Sequence, residues 1–219
     1  MLKRAIVRLL GREQANRVSA PYHDWQARRR TARNLAALPA KDLCVNLGCG
    51  PAPMAGWVNV DISRGAGVDV VWDLRRGLPF ADESCSAIFC EHVIEHLSKE
   101  DGLRLLRESR RALQQGGVLR LSTPDAGRFL RSYAGDGEFL SHPEFPQAAE
   151  TPIDRINMMM REDGQHLWVY DSASLLLLLR SAGFSACMEQ QFGVSQHPRM
   201  QNIDTQGRAF ESFYVEAVR

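Results

Sequence analysis

The chain has 219 residues, 44% hydrophobic and 24% charged. That is enough for one well-filled core and too short for two ordinary domains, and its average composition excludes disordered and fibrous architectures. A net charge of +1 conceals nine basic against two acidic side chains in residues 1–33, which leaves the remainder at −6 and argues against a broad nucleic-acid surface on the body.

In chain order, Leu2, Ala5, Ile6, Leu9 and Leu10 recur at helical spacing with Lys3, Arg4, Arg8 and Arg12 between them, predicting a short basic amphipathic helix ended by Gly11. It could touch a membrane surface or anionic partner or lie on its own domain; about three turns bury little apolar area, which favours the second. Residues 1–40 are thus read as a basic helical segment and 41–219 as the main domain. Short apolar runs at 43–47, 57–60, 68–72, 87–90 and 118–122 read as strands. Ser98 caps a helix to about 113, closed by Gly116-Gly117, and Asp171 caps an apolar helix through 179–182, stopped by Gly183. Runs at 185–192 and 210–218 supply two closing strands. Strands alternating with helices predict an α/β fold, mostly a parallel sheet. The stretch 135–170 shows little regular pattern, and an insertion or lid is expected over about 134–170. The longest apolar run, the leucines at 175–179, is far below the roughly 18 residues of a membrane span.

Ligands of an open parallel sheet bind beyond the carboxyl ends of its strands. Those ends carry Gly48-Cys49-Gly50, Asp61, Asp73 and Glu91 in turn. A glycine turn lets backbone approach a ligand, the first carboxylate can accept from two ribose hydroxyls, and the second from an exocyclic amine. Either aspartate alone would be an ordinary turn residue or cap; the ordered set describes a nucleoside across three strand ends. A dinucleotide needs its pyrophosphate on a helix opened by the glycine motif, but only Pro51-Ala52-Pro53-Met54-Ala55-Gly56 precedes the next strand. The acidic residue follows Gly50 by eleven positions, against roughly 20 at NAD sites. An NAD-dependent oxidoreductase is therefore disfavoured.

Val45-Asn46-Leu47-Gly48-Cys49-Gly50, Trp57-Val58-Asn59-Val60-Asp61, Asp73-Leu74, Leu78-Pro79-Phe80, Glu91-His92-Val93-Ile94-Glu95-His96-Leu97 and Gly116-Gly117 together resemble a class I S-adenosylmethionine-dependent methyltransferase, from about Leu43 to the C-terminus. The chain is most similar to a bacterial subgroup associated with surface-glycan and other specialised biosynthesis. The resemblance implies a Rossmann-like, seven-stranded, mostly parallel sheet with an antiparallel last strand, and S-adenosylmethionine as cofactor. It places Gly48, Cys49 and Gly50 at the methionine part, Asp61 at the ribose, Asp73 with Leu74 at the adenine edge, and Glu91 beside the methyl group and acceptor. The shortened first helix departs from the class pattern at the methionine carboxylate.

His92-Val93-Ile94-Glu95-His96 spells the inverted zinc-peptidase pattern, but without the long helix and further ligand that motif needs, so no metal is expected. His92, His96 and His166 are the candidate catalytic residues, His92 or His96 as general base with loop scaffolding as the alternative; His166, Trp168 and Tyr170 could line an acceptor pocket or form an aromatic packing cluster. The expected reaction is methyl transfer to oxygen or nitrogen of a small molecule or glycan, with a non-catalytic S-adenosylmethionine-binding protein as the alternative. A nucleic-acid substrate is not expected. Five cysteines, odd in number and without a CxxC pair, point to reduced thiols in a cytoplasm.

Overall fold

A computed structural model describes residues 29–135, 137–145 and 149–219. The basic helix expected near the N-terminus lies outside them. Seven strands form one sheet: β1 (Leu43–Leu47), β2 (Val58–Asp61), β3 (Val70–Val71), β4 (Cys85–Glu91), β5 (Leu113–Pro124), β6 (Ala186–Gln190) and β7 (Ser212–Val218), in the order β3-β2-β1-β4-β5-β7-β6. The first five are parallel and β7 runs antiparallel to both β5 and β6. β1 is buried along its whole length, and Val45, Val60, Val70, Ile88 and Leu121 are at most 1% exposed, as expected for a parallel sheet covered on both faces. After β1 the chain winds outward through β2 and β3, then returns to the other side of β1 as β4. That reversal opens a crevice at the carboxyl ends of β1 and β4.

Helices flank the sheet: α1 (residues 29–37), α2 (Lys99–Ala112), α3 (Ala126–Ala134), α4 (Pro152–Arg161) and α5 (Ser172–Ser181). α1 covers the short edge strand: Thr31 Oγ1 accepts from the Val71 amide at 3.0 Å, and Asn34 donates to the Asp69 carbonyl at 2.7 Å. Edge groups that would otherwise be open to another chain are thereby satisfied. The Ser98 and Asp171 side chains cap α2 and α5. No described helix is long and apolar enough to cross a membrane.

Three differences from the sequence reading have local causes. β3 shrinks to two residues, because Asp73 turns the chain by capping a short 3-10 helix over Leu74–Arg76. Gly116-Gly117 do not close α2: the helix stops at Ala112, and both glycines lie inside β5, where the register against β4 slips between Cys85 and Ala87. There the Gly116 amide donates to the Arg219 carbonyl and the Arg219 amide to that of Gly117. The stretch expected to be irregular contains α4, started by a Thr151–Asp154 capping box with Pro152 in its first turn. Ile156 and Met159 of α4 join Phe129, Phe139 and Phe145 in a second small core, whose three rings meet edge to face at 4.9–5.5 Å.

Arg120 of β5 is wholly buried, and its guanidinium is fully paired. Nε and Nη2 donate to the two Asp204 oxygens at 2.7 and 2.5 Å, Nη1 to Glu216 at 3.1 Å and the Val194 carbonyl at 2.7 Å, and Nη2 also to the Gln191 carbonyl at 3.0 Å. A second, more exposed clamp holds the loop before β4 to α2. Arg111 pairs with Glu108 at 2.8 Å and Asp82 at 2.6 Å and donates to the Leu78 and Phe80 carbonyls, while Glu108 accepts from the Leu78 amide.

Two outcomes follow. Asp204→Ala leaves a buried guanidinium short of its carboxylate and lowers unfolding free energy by about 3–5 kcal/mol, read by urea denaturation. Glu108→Gln costs about 1 kcal/mol at neutral pH. The Arg111 guanidinium holds Glu108 below the usual carboxylate range, so the stabilisation is complete above the unfolded-state pKa and is lost as pH falls through the depressed folded value. The wild-type advantage in urea therefore closes on acidification; a gap that widens in acid contradicts the clamp.

Candidate functional site

The crevice between β1 and β4 is the mouth of a cavity of about 860 Å³. Gly48 follows β1 with φ +67°; its amide and that of Cys49 donate to the Val60 carbonyl at 2.8 and 3.0 Å, folding the turn beneath β2. A Cβ on Gly48 would lie 2.2 Å from the Val93 side chain, so this position is glycine for both backbone and packing reasons. Gly50 also has positive φ, but a Cβ there would meet nothing within 4 Å. Residues 51–56 form no helix. Asn59 braces them instead, accepting from the Met54 amide at 2.7 Å and donating to its carbonyl at 3.0 Å.

All seven residues expected to meet the cofactor line this cavity: Gly48, Cys49, Gly50, Asp61, Asp73, Leu74 and Glu91. Asp61 accepts from the Gly50 amide at 2.9 Å through one oxygen and the Ser63 amide at 2.7 Å through the other. Asp73 is held by Arg75 through two bonds of 2.9 and 2.7 Å, and the Arg75 hydrogen bonds hold its carboxyl below the usual range. Glu91 is committed elsewhere: its oxygens accept from the Thr205 amide at 3.0 Å and the Thr205 hydroxyl at 2.5 Å, fixing the segment before β7 across the opening. Burial, with Asp61 nearby, raises the Cys49 thiol to about 11, so it stays protonated and is not a nucleophile.

The three histidines are placed differently. His92 sits in a left-handed bend just after β4 with φ 51°; its Nε2 meets Ser212 Oγ at 2.6 Å, and its Nδ1 lies 3.4 Å from Glu95 Oε1. Burial is the main cause that pushes His92 down to about 3 and Glu95, fully buried, up to about 8. His92 is therefore neutral at pH 7. His96, also lowered by burial, lines the large cavity with Nε2 3.5 Å from Glu162 Oε2. His166 is absent from that cavity's lining but lines a second one of about 290 Å³. Its Nε2 lies 2.8 Å from the same Glu162 oxygen, and its Nδ1 meets the Met159 carbonyl. His92, Glu162 and Arg208 line both cavities and form the wall they share. Trp168 and Tyr170 line neither; Trp168 is exposed over Lys99 and Tyr170 is buried in the main core.

Sequence reasoning gave no site role to Glu162, Thr205, Arg208 or Ser212. Glu162 and the following Asp163 both have positive φ, which places Glu162 in a tight left-handed turn after α4 that no glycine advertised.

A methyltransferase domain family matches residues 22–188 of the chain. A search of curated proteins finds no match. The chain belongs to the class I S-adenosylmethionine-dependent methyltransferases. Among solved structures, a SAM-dependent methyltransferase of Thermotoga maritima, described as a possible histamine N-methyltransferase, is 18% identical with a TM-score of 0.50, covering 98% of each chain. A chain of the complex between the Haloferax volcanii Trm112 methyltransferase activator and a methyltransferase is 14% identical with a TM-score of 0.50, covering 93% of this chain and 94% of that one. Both share the fold. The enzyme's cofactor is S-adenosylmethionine, and the strand order and antiparallel β7 are those of a Rossmann-like methyltransferase sheet.

In this methyltransferase, Gly48→Ala forces both a left-handed alanine and a collision with Val93. It is expected to lower stability by at least about 1–3 kcal/mol and to weaken donor binding, whereas Gly50→Ala carries backbone strain without the collision. Melting curves with and without S-adenosylmethionine check the order; equal losses at the two positions contradict it.

Proposed function

We propose that the enzyme transfers a methyl group to an oxygen or nitrogen of a small polar acceptor or glycan, with the donor in the larger cavity and the acceptor in the smaller. The supporting observation is the wall of His92, Glu162 and Arg208 common to both cavities. The shared side chains make the two cavities neighbours, the arrangement that transfer between two bound molecules requires.

The larger cavity fits the donor. At Gly50 the space beyond the backbone is open, and Asp61 is already oriented by two amides while each of its oxygens keeps a lone pair for a vicinal hydroxyl. Gly48, Cys49 and Gly50 border the methionine part, Asp61 the ribose, and Asp73 with Leu74 the adenine edge. Arg75 keeps Asp73 ionised and fixed, ready to accept from an amine. Glu91 acts through Thr205, which it holds at the cavity's rim.

When bound, the donor supplies an electrophilic methyl on a sulfonium, a good leaving group, so the protein's main task is alignment. An acceptor hydroxyl must also lose a proton. His92 is unsuited to take it, being held neutral and bonded to Ser212, and we assign it to supporting the wall. His166, on the smaller cavity, is assigned to the acceptor side, and His96, which lines the larger one, to the boundary between them beside Glu162. The smaller cavity, at about 290 Å³, mixes Glu144, Glu162 and Glu211 with Arg155 and Arg208. Alternating charges suit a hydroxyl-rich neutral molecule better than a polyanion, and the volume suits a small one. Five free cysteines fit a reducing cytoplasm.

Asp61→Ala is expected to weaken S-adenosylmethionine binding by about 1.5–3 kcal/mol, measured by calorimetry; unchanged affinity removes the donor assignment. With labelled donor and fractionated cell extract, label is expected in the low-molecular-mass or glycan fraction, and label confined to nucleic acid or protein overturns the acceptor class.

A further inference from the structure

We propose that Glu95, His96 and His166, with Glu162 beside them, bind one divalent first-row cation in the wall between the two cavities. Among the described residues, one ligand atom from each of Glu95, His96 and His166 lies within 4.8 Å of the others. Ligands around a zinc-like ion at about 2.1 Å stand roughly 3–4 Å apart, so small side-chain adjustments close the set.

A buried group points to a ligand. The Glu95 side chain is 0% exposed, and neither carboxylate oxygen has a hydrogen-bond partner of good geometry; beside it are the Thr123 hydroxyl and His92 Nδ1, 3.4 Å away. Buried carboxylates are ordinarily bonded, paired or bound to metal. His166 stands opposite, with Nδ1 directed at the Met159 carbonyl and Nε2 2.8 Å from Glu162 Oε2. A backbone carbonyl behind a ligating imidazole is also the usual outer support of metal-binding histidine.

The ligands come from two parts of the chain. Glu95 and His96 lie on the 3-10 turn after β4 (Ile94–His96), while Glu162 and His166 follow α4. The Leu167 and Trp168 amides both donate to the Glu95 carbonyl, at 2.8 and 3.2 Å, so the halves are joined without an ion. The set is not the H-x-x-E-H pattern of the sequence: His92 is outside it, its Nε2 taken by Ser212. Two imidazoles and carboxylates suit zinc, iron, cobalt or manganese better than calcium.

This deepens the proposed function and rests on it for the acceptor's position. A cation there lowers the acidity constant's exponent of a hydroxyl bound in the smaller cavity, and the proton leaves to solvent. The oxygen's lone pair forms the new bond to the methyl carbon while the carbon–sulfur bond breaks with its electrons onto sulfur.

The test uses the untagged full chain, stripped with chelator and titrated with Co²⁺, followed by visible d–d absorption and calorimetry. One Co²⁺ per chain, displaced by Zn²⁺, is expected. His96→Ala and His166→Ala should weaken it at least tenfold while His197→Ala does not. S-adenosylmethionine affinity is measured on every sample, so that failure of the donor site is read separately from failure of the cation site. If a histidine variant loses donor binding through misfolding, the near-isosteric Glu95→Gln supplies the comparison. Absence of stoichiometric Co²⁺ in the wild type, or equal Co²⁺ affinity in the folded variants, overturns the proposal.

Discussion

The long segment between β6 and β7 has no strand or α-helix of its own, and the buried Arg120 group holds it in place. An arginine at the centre of a sheet is costly to desolvate, and only complete pairing offsets that cost. Here five donated bonds fill the guanidinium. The acceptors are satisfied too: Asp204 takes the Gly193 amide at 2.7 Å, and Glu216 takes that of Gln196 at 2.9 Å. Because two of the arginine's partners are backbone carbonyls at 191 and 194, the charge group fixes the segment's path as well as its attachment. Ile203, Thr205 and Arg208 consequently reach the large cavity. The Glu91–Thr205 pair is a second tie that depends on the first, since Asp204 adjoins Thr205.

With that segment fixed, the parallel half of the sheet and its antiparallel end do different work. β1, β2 and β4 finish side by side, so one glycine turn and the Asp61 carboxylate share a single crevice. β7 brings Ser212 to His92 from the opposite side. The bend at His92, unfavourable for a non-glycine residue, is held by that contact and by its amide bond to the Ser122 carbonyl. The same bend puts Val93 against Gly48 and Glu95 into the interior. One local distortion thus shapes the glycine turn after β1 and buries the Glu95 side chain.

The legible and illegible parts of the sequence divide along the range of the forces involved. β1 and β4 are continuous apolar runs, and Ser98 and Asp171 are caps whose partners lie three residues on; such signals are complete within a short window. Asp61 and Asp73 could be read because each stands just past its strand. Arg120 could not be read, because its carboxylates lie 84 and 96 residues away and a lone arginine in an apolar run looks like a solvent-facing position. α4 had a readable capping box, but only Ile156 and Met159 of its ten residues are buried. Their packing partners are phenylalanines from other elements, so periodicity alone was too weak to reveal it. The role of Glu162 was hidden for a different reason, since its left-handed turn has no glycine before Gly164.

The proposed donor side is made of strand ends and the proposed acceptor side of the stretch between α3 and α5, and that difference explains why the cofactor was readable while the acceptor was not. A strand end is fixed by the sheet's register, so residue type and position together imply a role. The acceptor side is built on a small second core of aromatic rings, joined to the sheet by an isolated bridge from Asp125 to Tyr170 and by the two amides on the Glu95 carbonyl. Phe210, just before β7, packs against the rings of His142 and Phe145, and its carbonyl accepts from Arg128. Of these ties, the two amides on the Glu95 carbonyl fall at the turn after β4. Any ligand that bridges Glu95 and His96 to His166 therefore adds a side-chain link beside that backbone join, between the turn after β4 and the chain that follows α4.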